Sequence, residues 1–538
     1  MHLYKEIYQI IEYKRLTQLG WVRIMNRNKI INAFLNPEFY DHSIDHIELI
    51  ETHISWVFLT GRFAYKIKKP VDFGFLNFTS LEQRKFYCQQ ELVLNKRFAP
   101  QIYLEVLPIT ESEDNISLSG SGKVIDYAVK MLQFEKNCLL DKLLKKRQIK
   151  LFHIDELSDV VADFHEKINI AGADVVFGSE PEVIKPVEEN FSILSKILID
   201  DEDQQVLESL HNNMLSLYHS ICPQLLVRKK EGHIRECHGD LHLGNITLSA
   251  NKILLFDGIE FNDSFRWIDT MSDCAFLIMD LQDHKQIIFA NHLLNRYLLK
   301  TGDYSGLTVL KFYLLYRATV RAKVAALRLQ QQKDELTDYK QSAAEIRNYL
   351  ELAKSYVQTH RQNNRVFLAI SYGLSGSGKS RVSSQLADQL GAIQLCSDIE
   401  RKRLFSKVTD ELYSDSTTYK TYTHLMKITE LVLNAGYSVI VDATFLDKKW
   451  RQKFRLIAEK QQIPFHILSC YAELNIIKQR LRLRQNKLNT VSDAGIEVME
   501  SQLKKIDHLD ISEKKFEISI DTEQALDFPS IMTQISQK

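Results

Sequence analysis

One stretch leaves this chain little choice of local architecture. Val366-Phe367-Leu368-Ala369-Ile370-Ser371-Tyr372 is an apolar run of strand length. It passes directly into Gly373-Leu374-Ser375-Gly376-Ser377-Gly378-Lys379-Ser380, and Arg381 to Leu390 continues with helical spacing. A strand apolar on both faces belongs in a parallel sheet covered by helices on both sides. In that setting the G-x-x-x-x-G-K-S spacing has a physical meaning. Gly373, Gly376 and Gly378, with Ser377 among them, let backbone N–H groups turn inward around phosphate oxygens, and the helix N-terminus adds its dipole. Lys379 would reach the β- and γ-phosphates of ATP, and the Ser380 hydroxyl would bind Mg2+.

The residues that follow keep the same rhythm. Leu395-Cys396-Ser397-Asp398 reads as the end of a second strand, with Arg401 and Lys402 on the next helix. Tyr437 to Val441 is another buried strand and ends in Asp442, a carboxylate placed to complete the Mg2+ site. Glu473 to Lys487 reads as a helix carrying Arg480, Arg482 and Arg484. Arg480 and Arg484 lie one turn apart, which suits either a lid over the transferring phosphoryl group or a plain basic helix. Ser492-Asp493-Ala494 reads as a further helix cap, and Phe516 to Ile520 as the last strand. Alternating strands and helices predict a doubly wound α/β sheet.

The first half holds a second centre, His238-Gly239-Asp240-Leu241-His242-Leu243-Gly244-Asn245. An Asp followed five residues later by an Asn, in a loop opened by His, is the spacing of kinase catalytic loops. Ile253 to Phe256 then reads as a short strand that delivers Asp257. Asp240 would accept the proton of a substrate hydroxyl, and Asn245 and Asp257 would hold Mg2+ against the nucleotide. The plain alternative is a polar loop whose Asp and Asn serve the turn.

Upstream, Ser55 to Leu59 and Phe63 to Lys68 flank Thr60-Gly61-Arg62 as a hairpin. Lys66 is the candidate for the α- and β-phosphates, and Lys68, on the same strand face, is the alternative. Leu81 to Phe98 is helical, and its Glu91 would pair with the strand lysine, unless it is an ordinary surface residue. No glycine-rich loop precedes the hairpin; Thr52 to Ser55 stands there instead. Tyr127 to Phe134 reads as a strand leading to an adenine-binding hinge, and Leu139 to about Ser220 as helical. Asp269 and Asp273 are expected to cap the catalytic loop, with metal binding the alternative. Tyr313, Arg317, Arg321 and Lys323 stripe a helix as either a solvated face or a basic rim.

Glu51 to about Arg328 resembles the aminoglycoside-phosphotransferase/choline-kinase superfamily, whose catalytic loop H-G-D-x-H-x-x-N is matched by His238 to Asn245. The resemblance implies a two-lobe α+β kinase-like domain for small molecules. Gly239 replaces the Arg with which protein kinases sense a phosphorylated activation loop, and the path from Asp257 to Arg266 is too short for such a loop. The second half resembles P-loop kinases that phosphorylate hydroxyls, the polynucleotide-kinase, zeta-toxin and gluconate-kinase-like group. That resemblance implies Asp398 as general base and Arg401 as the holder of an anionic part of the acceptor. Ala443 and Phe445 depart from the group's D-T-N segment. The whole chain resembles bacterial proteins that fuse an aminoglycoside-phosphotransferase-like domain to an AAA-type P-loop ATP-binding domain.

Composition supports soluble domains. Of the 538 residues, 45% are hydrophobic and 26% charged, and 69 basic residues balance 69 acidic ones, so nothing calls for nucleic acid or an anionic membrane. Seven cysteines without a C-x-x-C pair suit a reducing cytoplasm. The expected division is a helical extension at 1–27, with Met25 an alternative start, a kinase-like domain at 28–329, a helical linker at 330–364 and a P-loop domain at 365–538. The expected activity is transfer of the ATP γ-phosphate, at two nucleotide sites, to a hydroxyl of an unidentified small molecule. The alternatives are one kinase regulated by a P-loop ATPase, and a nucleotide-sensing protein with a degenerate kinase half.

Overall fold

The computed structural model describes residues 29–74, 76–113, 115–198, 200–331, 336–357, 366–405, 414–485 and 495–537. The N-terminal extension at 1–27, the Met25 start and the cap at Ser492 to Ala494 lie outside them. The described chain forms two compact units that do not follow the expected linear division. One runs to Gln148 and includes His238–Arg266; the other joins Ile149–Cys237 to everything from Trp267 onward. The segment His238–Arg266 therefore belongs to the same unit as the N-terminal sheet.

That first unit is built on six antiparallel strands: β1 (Glu48–Glu51), β2 (Ser55–Leu59), β3 (Phe63–Lys68), β4 (Tyr103–Ser112), β5 (Asn115–Leu118) and β6 (Lys123–Leu132). They lie in the order β1-β2-β3-β6-β4-β5. The Thr60 to Arg62 turn joins β2 and β3, with Val57 opposite Lys66. Period-two alternation sorts the side chains of β3. Tyr65 and Ile67 enter a core with Phe34, Trp56 and Phe58. Lys66 and Lys68 project to the other face, where helix α1 (Leu81–Asn95) lies. A capping box between Ser80 and Gln83 starts α1. Its Cys88 and Leu92 pack with Tyr103, Val129 and Leu254. A short helix, α2 (Leu140–Lys145), and two hairpin strands, β8 (Ile246–Ser249) and β9 (Lys252–Leu255), complete this unit.

The second unit opens with a helical bundle. Its helices are α3 (Leu151–Lys167), α4 (Glu180–Ile197), α5 (Asp201–Lys230), α6 (Thr270–Asp283), α7 (Ile287–Thr301), α8 (Leu307–Gln331) and α9 (Leu336–Val357), with a two-stranded pair of β7 (Ile234–Glu236) and β10 (Trp267–Asp269). Helix α6 is buried from Thr270 to Leu281. Within the expected helical linker, α9 buries Ile346, Tyr349, Leu350 and Ala353 at helical spacing, so its apolar face packs in the bundle.

The 313–323 stripe is also internal. Arg317 is buried and donates to Ser272 O at 3.1 Å, with its guanidinium over the Phe276 ring. Arg321 donates to Tyr349 Oη at 3.1 Å. Burial pushes Lys323 down to about 8. It is neither a solvated face nor a basic rim. Asp269 caps α6, accepting from Met271 N at 2.8 Å, and both its oxygens bind Arg228 at 2.7 Å. Asp273 meets His165 at 3.1 Å. Both are therefore occupied within the bundle rather than capping the catalytic loop.

The doubly wound sheet is present. Strands β11 (Leu368–Tyr372), β12 (Ile393–Cys396), β13 (Val439–Asp442), β14 (Phe465–Tyr471) and β15 (Glu517–Asp521) are all parallel, in the order β12-β13-β11-β14-β15. Helices α10 (Lys379–Leu390), α11 (Ser397–Leu404), α12 (Asp415–Asn434), α13 (Lys448–Gln461), α14 (Leu474–Gln485), α15 (Ile496–Lys505) and α16 (Phe528–Gln537) alternate with or follow the strands. Val382 and Leu386 of α10 share a core with Ala369, Ile440, Leu468 and Ile531. The G-x-x-x-x-G-K-S segment leaves the carboxyl end of the central strand, where sheets of this class bind ligands. Among the described residues no helix is long and apolar enough to cross a membrane.

Candidate functional site

In the first unit the alternation of β3 brings both lysines to Glu91. Lys66 Nζ lies 2.8 Å from Glu91 Oε1 and 2.5 Å from Asp257 Oδ1. Lys68 Nζ lies 2.7 Å from Glu91 Oε2 and also binds Glu260. Glu91 is thus buried between two ammonium groups and is no surface residue. Burial opposes charge on all four buried groups. For Lys66 the carboxylates of Asp257, Glu91 and Glu260 overcome it and hold the ammonium well above the usual range. Glu91 is held low by Lys66 and Lys68 against the same burial. Glu260 is pushed up by burial. The sequence reading missed Glu260; the signal was Lys68 itself, an inward lysine two residues from Lys66 that needs a carboxylate of its own.

The residues of the His238–Asn245 loop are fixed one by one. His238 Nε2 donates to Phe256 O at 2.9 Å, its Nδ1 accepts from Asp240 N at 3.3 Å, and its ring stacks on Phe98. Gly239 has φ +84°, and a Cβ there would stand 2.6 Å from Phe265 O, so glycine is required on both counts. Asn245 Nδ2 donates to Asp240 O at 2.9 Å and to Asp240 Oδ2 at 3.0 Å. His242 Nδ1 accepts from Gly244 N, which puts the ring proton on Nε2, 3.5 Å from Asp240 Oδ2. Asp257 holds the left-handed conformation, φ +61°, and its N–H donates to Tyr103 Oη at 3.0 Å. Such backbone strain in a non-glycine residue accumulates at functional sites. The next N–H, of Gly258, donates to Asn95 Oδ1 at 2.8 Å, which ties the segment to the end of α1.

The turn expected to take the place of a glycine-rich loop joins β1 to β2. Thr52 Oγ1 is committed inside it, accepting from Ser55 N and donating to Ser55 O. The Ser55 hydroxyl is buried with no hydrogen-bond partner among the described residues.

The residues of the first unit suit a divalent cation. The amide protons of Asn245 go to Asp240, which leaves its Oδ1 available, and the Asp257 side chain is 43% exposed. Hard oxygen donors of this kind are what Mg2+ takes.

In the second unit the glycine loop closes on itself. Lys379 is buried, donates to Leu374 O at 2.7 Å, and is pushed below the usual lysine range by burial. A Cβ on Gly373 would lie 2.4 Å from Cys470 O. Ser377 Oγ is buried and has no hydrogen-bond partner among the described residues. Asp442 is fully enclosed, its carboxyl raised by burial despite a hydrogen bond from Ser380. A cradle of tight glycines, an unsatisfied hydroxyl and a serine–carboxylate pair fit a phosphate chain with its cation. Asp398 lies in the first turn of α11 rather than at the end of β12, and Arg401 Nη1 is 3.2 Å from its Oδ1.

The two candidate lid arginines differ. Arg480 is engaged structurally, donating to Thr522 Oγ1 and Thr522 O, both at 2.9 Å, while Thr522 Oγ1 donates to Ser377 O at 2.8 Å. It therefore braces the loop from behind. For Arg484, its positive charge adds, after burial, to the lowering of Lys379.

The family model described as an AAA domain matches residues 368–509. An uncharacterized protein of Mycobacterium tuberculosis is 29% identical over 452 residues, 81% of this chain and 86% of that protein. Two solved structures are also similar in part. A choline/ethanolamine kinase family protein from Mesorhizobium loti covers 62% of this chain and 99% of its own, at 12% identity and a TM-score of 0.36. The Mycobacterium tuberculosis APS kinase covers 32% of this chain and 98% of its own, at 18% identity and a TM-score of 0.25. The chain joins an α+β portion built on a six-stranded antiparallel sheet to an α/β portion with a five-stranded parallel sheet, the part that the AAA-domain model matches.

Proposed function

We propose that the chain is an ATP-dependent phosphotransferase with two nucleotide sites, each transferring the γ-phosphate to a hydroxyl of a small molecule. The observation that carries the reading is the Lys66 ammonium held jointly by Glu91 and Asp257 in the unit that also holds Asp240 and Asn245. A charged lysine fixed at that point is ready to turn to the α- and β-phosphates once ATP enters, and Asp257 is then freed for a cation. Asp240, oriented by Asn245, takes the proton of the acceptor hydroxyl. Lys68 and Glu260 hold Glu91 in place. In the P-loop portion, Lys379 leaves Leu374 O for the β- and γ-phosphates, Asp398 takes the acceptor proton and Arg401 holds an anionic part of the acceptor. Arg484 contributes charge beside Lys379. Asn245 and Asp257 at one centre, and Ser380 and Asp442 at the other, would hold Mg2+, which when bound would neutralise phosphate charge.

The balanced net charge favours a small acceptor over nucleic acid. The test is a screen of a metabolite extract with ATP and purified protein, read as new phosphorylated species by mass spectrometry. Phosphorylated products that vanish in Asp240→Ala or Lys379→Ala protein support the reading. Nucleotide binding with no product from any fraction overturns it in favour of a nucleotide sensor.

A further inference from the structure

The loop after α7 in the helical bundle and the acceptor helix of the P-loop portion share a buried polar contact that the reaction chemistry does not require. Helix α11 carries Asp398 and Arg401 on one face. On its other face Glu400 is 1% exposed, and both of its oxygens are used. Oε1 accepts from Tyr304 Oη at 3.1 Å and from Arg403; Oε2 meets His424 Nε2 at 3.2 Å. Burial would raise this carboxyl, but the hydrogen bonds of His424 and Arg403 outweigh it and keep it low. Arg403 reaches further, donating to Leu299 O at 2.5 Å. A Cβ on Gly302, the residue that ends α7, would stand 2.8 Å from Arg403 Nε, so the glycine leaves the room that the arginine occupies.

Tyr304 cannot drift. Its neighbour Asp303 is bound through both oxygens by Arg228, at 2.7 and 2.8 Å, and accepts from Gly306 N at 3.0 Å. Arg228 is in turn held by Asp269. The other end of the contact is equally fixed. Along α7, Asn295 donates to Ala392 O and accepts from Gln394 N, and His292 meets Asp388 at 2.8 Å, so the same helix grips the end of α10 and the start of β12.

We propose that Tyr304 is a positioning residue for the P-loop centre: through Glu400 it sets the orientation of α11, and so the placement of Asp398 and Arg401 against the acceptor. The proposal rests on the phosphotransfer reading for that centre. A hydroxyl aimed at a buried carboxylate on the back of a two-turn helix controls the front of it, because α11 is too short to hold its own geometry.

The test is Tyr304→Phe, which keeps the ring and removes one oxygen, made in Asp240→Ala protein so that only the P-loop centre turns over. ATP consumption is followed with a metabolite extract as acceptor pool, and amide hydrogen exchange is followed by mass spectrometry. The expected result is a kcat at least tenfold lower, a KM for ATP within twofold of the parent, and exchange at least tenfold faster across Ser397–Leu404 with Lys379–Leu390 unaltered. A purely structural loss would move both segments and the ATP KM together. A kcat within twofold of the parent, or unaltered exchange across Ser397–Leu404, overturns the proposal. If the parent itself consumes no ATP, the phosphotransfer reading of this centre fails, and the exchange result alone then decides whether Tyr304 positions α11.

Discussion

Asn245 donates its amide to both the main-chain and the side-chain oxygen of Asp240, at 2.9 and 3.0 Å. One residue thus fixes the loop and aims the candidate base. Asn245→Ala, made in Lys379→Ala protein so that only this centre turns over, should lower acceptor-dependent ATP turnover by about a hundredfold or more, within the range a positioned proton acceptor contributes. Its cost in stability should be near one hydrogen bond, about 1 kcal/mol. Steady-state kinetics beside a denaturant melt checks this; a stability loss as large as the kinetic one would mean that Asn245 serves the fold alone.

Lys66 and Lys68 share Glu91 yet should behave oppositely when removed. Lys66→Met leaves Glu91 paired with Lys68 and Asp257 half in water, so it should abolish turnover at that centre with a modest loss of stability. Lys68→Met strands Glu260 and half of Glu91 in a buried setting, and removal of one partner of a buried pair costs about 3–5 kcal/mol. Urea unfolding of the two variants should rank Lys68→Met well below Lys66→Met. The reverse order would remove Lys68 from its assigned structural role.

Gly239→Ala places a Cβ against the carbonyl of Phe265 and forces a left-handed residue on a methyl group. Strain of that kind costs on the order of 1–3 kcal/mol before any clash is counted. The expected outcome is loss of the Asp240-dependent turnover, while binding of a fluorescent ATP analogue at the P-loop persists. Retained Asp240-dependent turnover would show that the loop tolerates the displacement.

His292 lies between Asp155 on α3, at 3.0 Å, and Asp388 on α10, at 2.8 Å, with Arg296 also on Asp155. Burial would lower its pKa, but the hydrogen bonds and charges of the two carboxylates raise it from 6.5 to about 9. A raised folded-state value means that the stabilisation is complete below about pH 6.5 and is lost as pH climbs through 9. Linkage limits it to about 3 kcal/mol. Stability of the wild type should therefore fall between pH 6.5 and 9 more steeply than that of His292→Gln, as read by chemical denaturation at each pH. Parallel curves would remove the charged bridge.

Several of these residues were visible in the amino-acid order and others were not, for physical reasons. The strand–glycine–helix at 366–390 and the Asp240–Asn245 spacing are local patterns, so backbone periodicity and loop chemistry reveal them directly. The lysine face of β3 followed from alternation alone. Partners far apart in sequence left no such trace: Lys68 with Glu260, Arg228 with Asp269 and Asp303, and Tyr304 with Glu400 meet only because helices and sheet edges converge. The helical nature of α9 was legible, but its buried face was not, because Ile346, Tyr349, Leu350 and Ala353 are few among many polar positions although they keep helical spacing. Arg451, whose guanidinium binds both oxygens of Glu513 at 2.8 and 2.9 Å and also donates to the carbonyls of Phe445 and Leu446, gave no local sign of its burial. The non-contiguous units follow from the same cause: His238–Arg266 is placed by Asn95, Phe98 and Tyr103 rather than by its neighbours in the chain.

The most direct test of two working nucleotide centres is ATP turnover, with an acceptor pool present, in Asp240→Ala, Lys379→Ala and the double variant. Partial loss in each single variant and complete loss in the double variant is the predicted result. Turnover that neither single change reduces, or that one of them abolishes entirely, would contradict it.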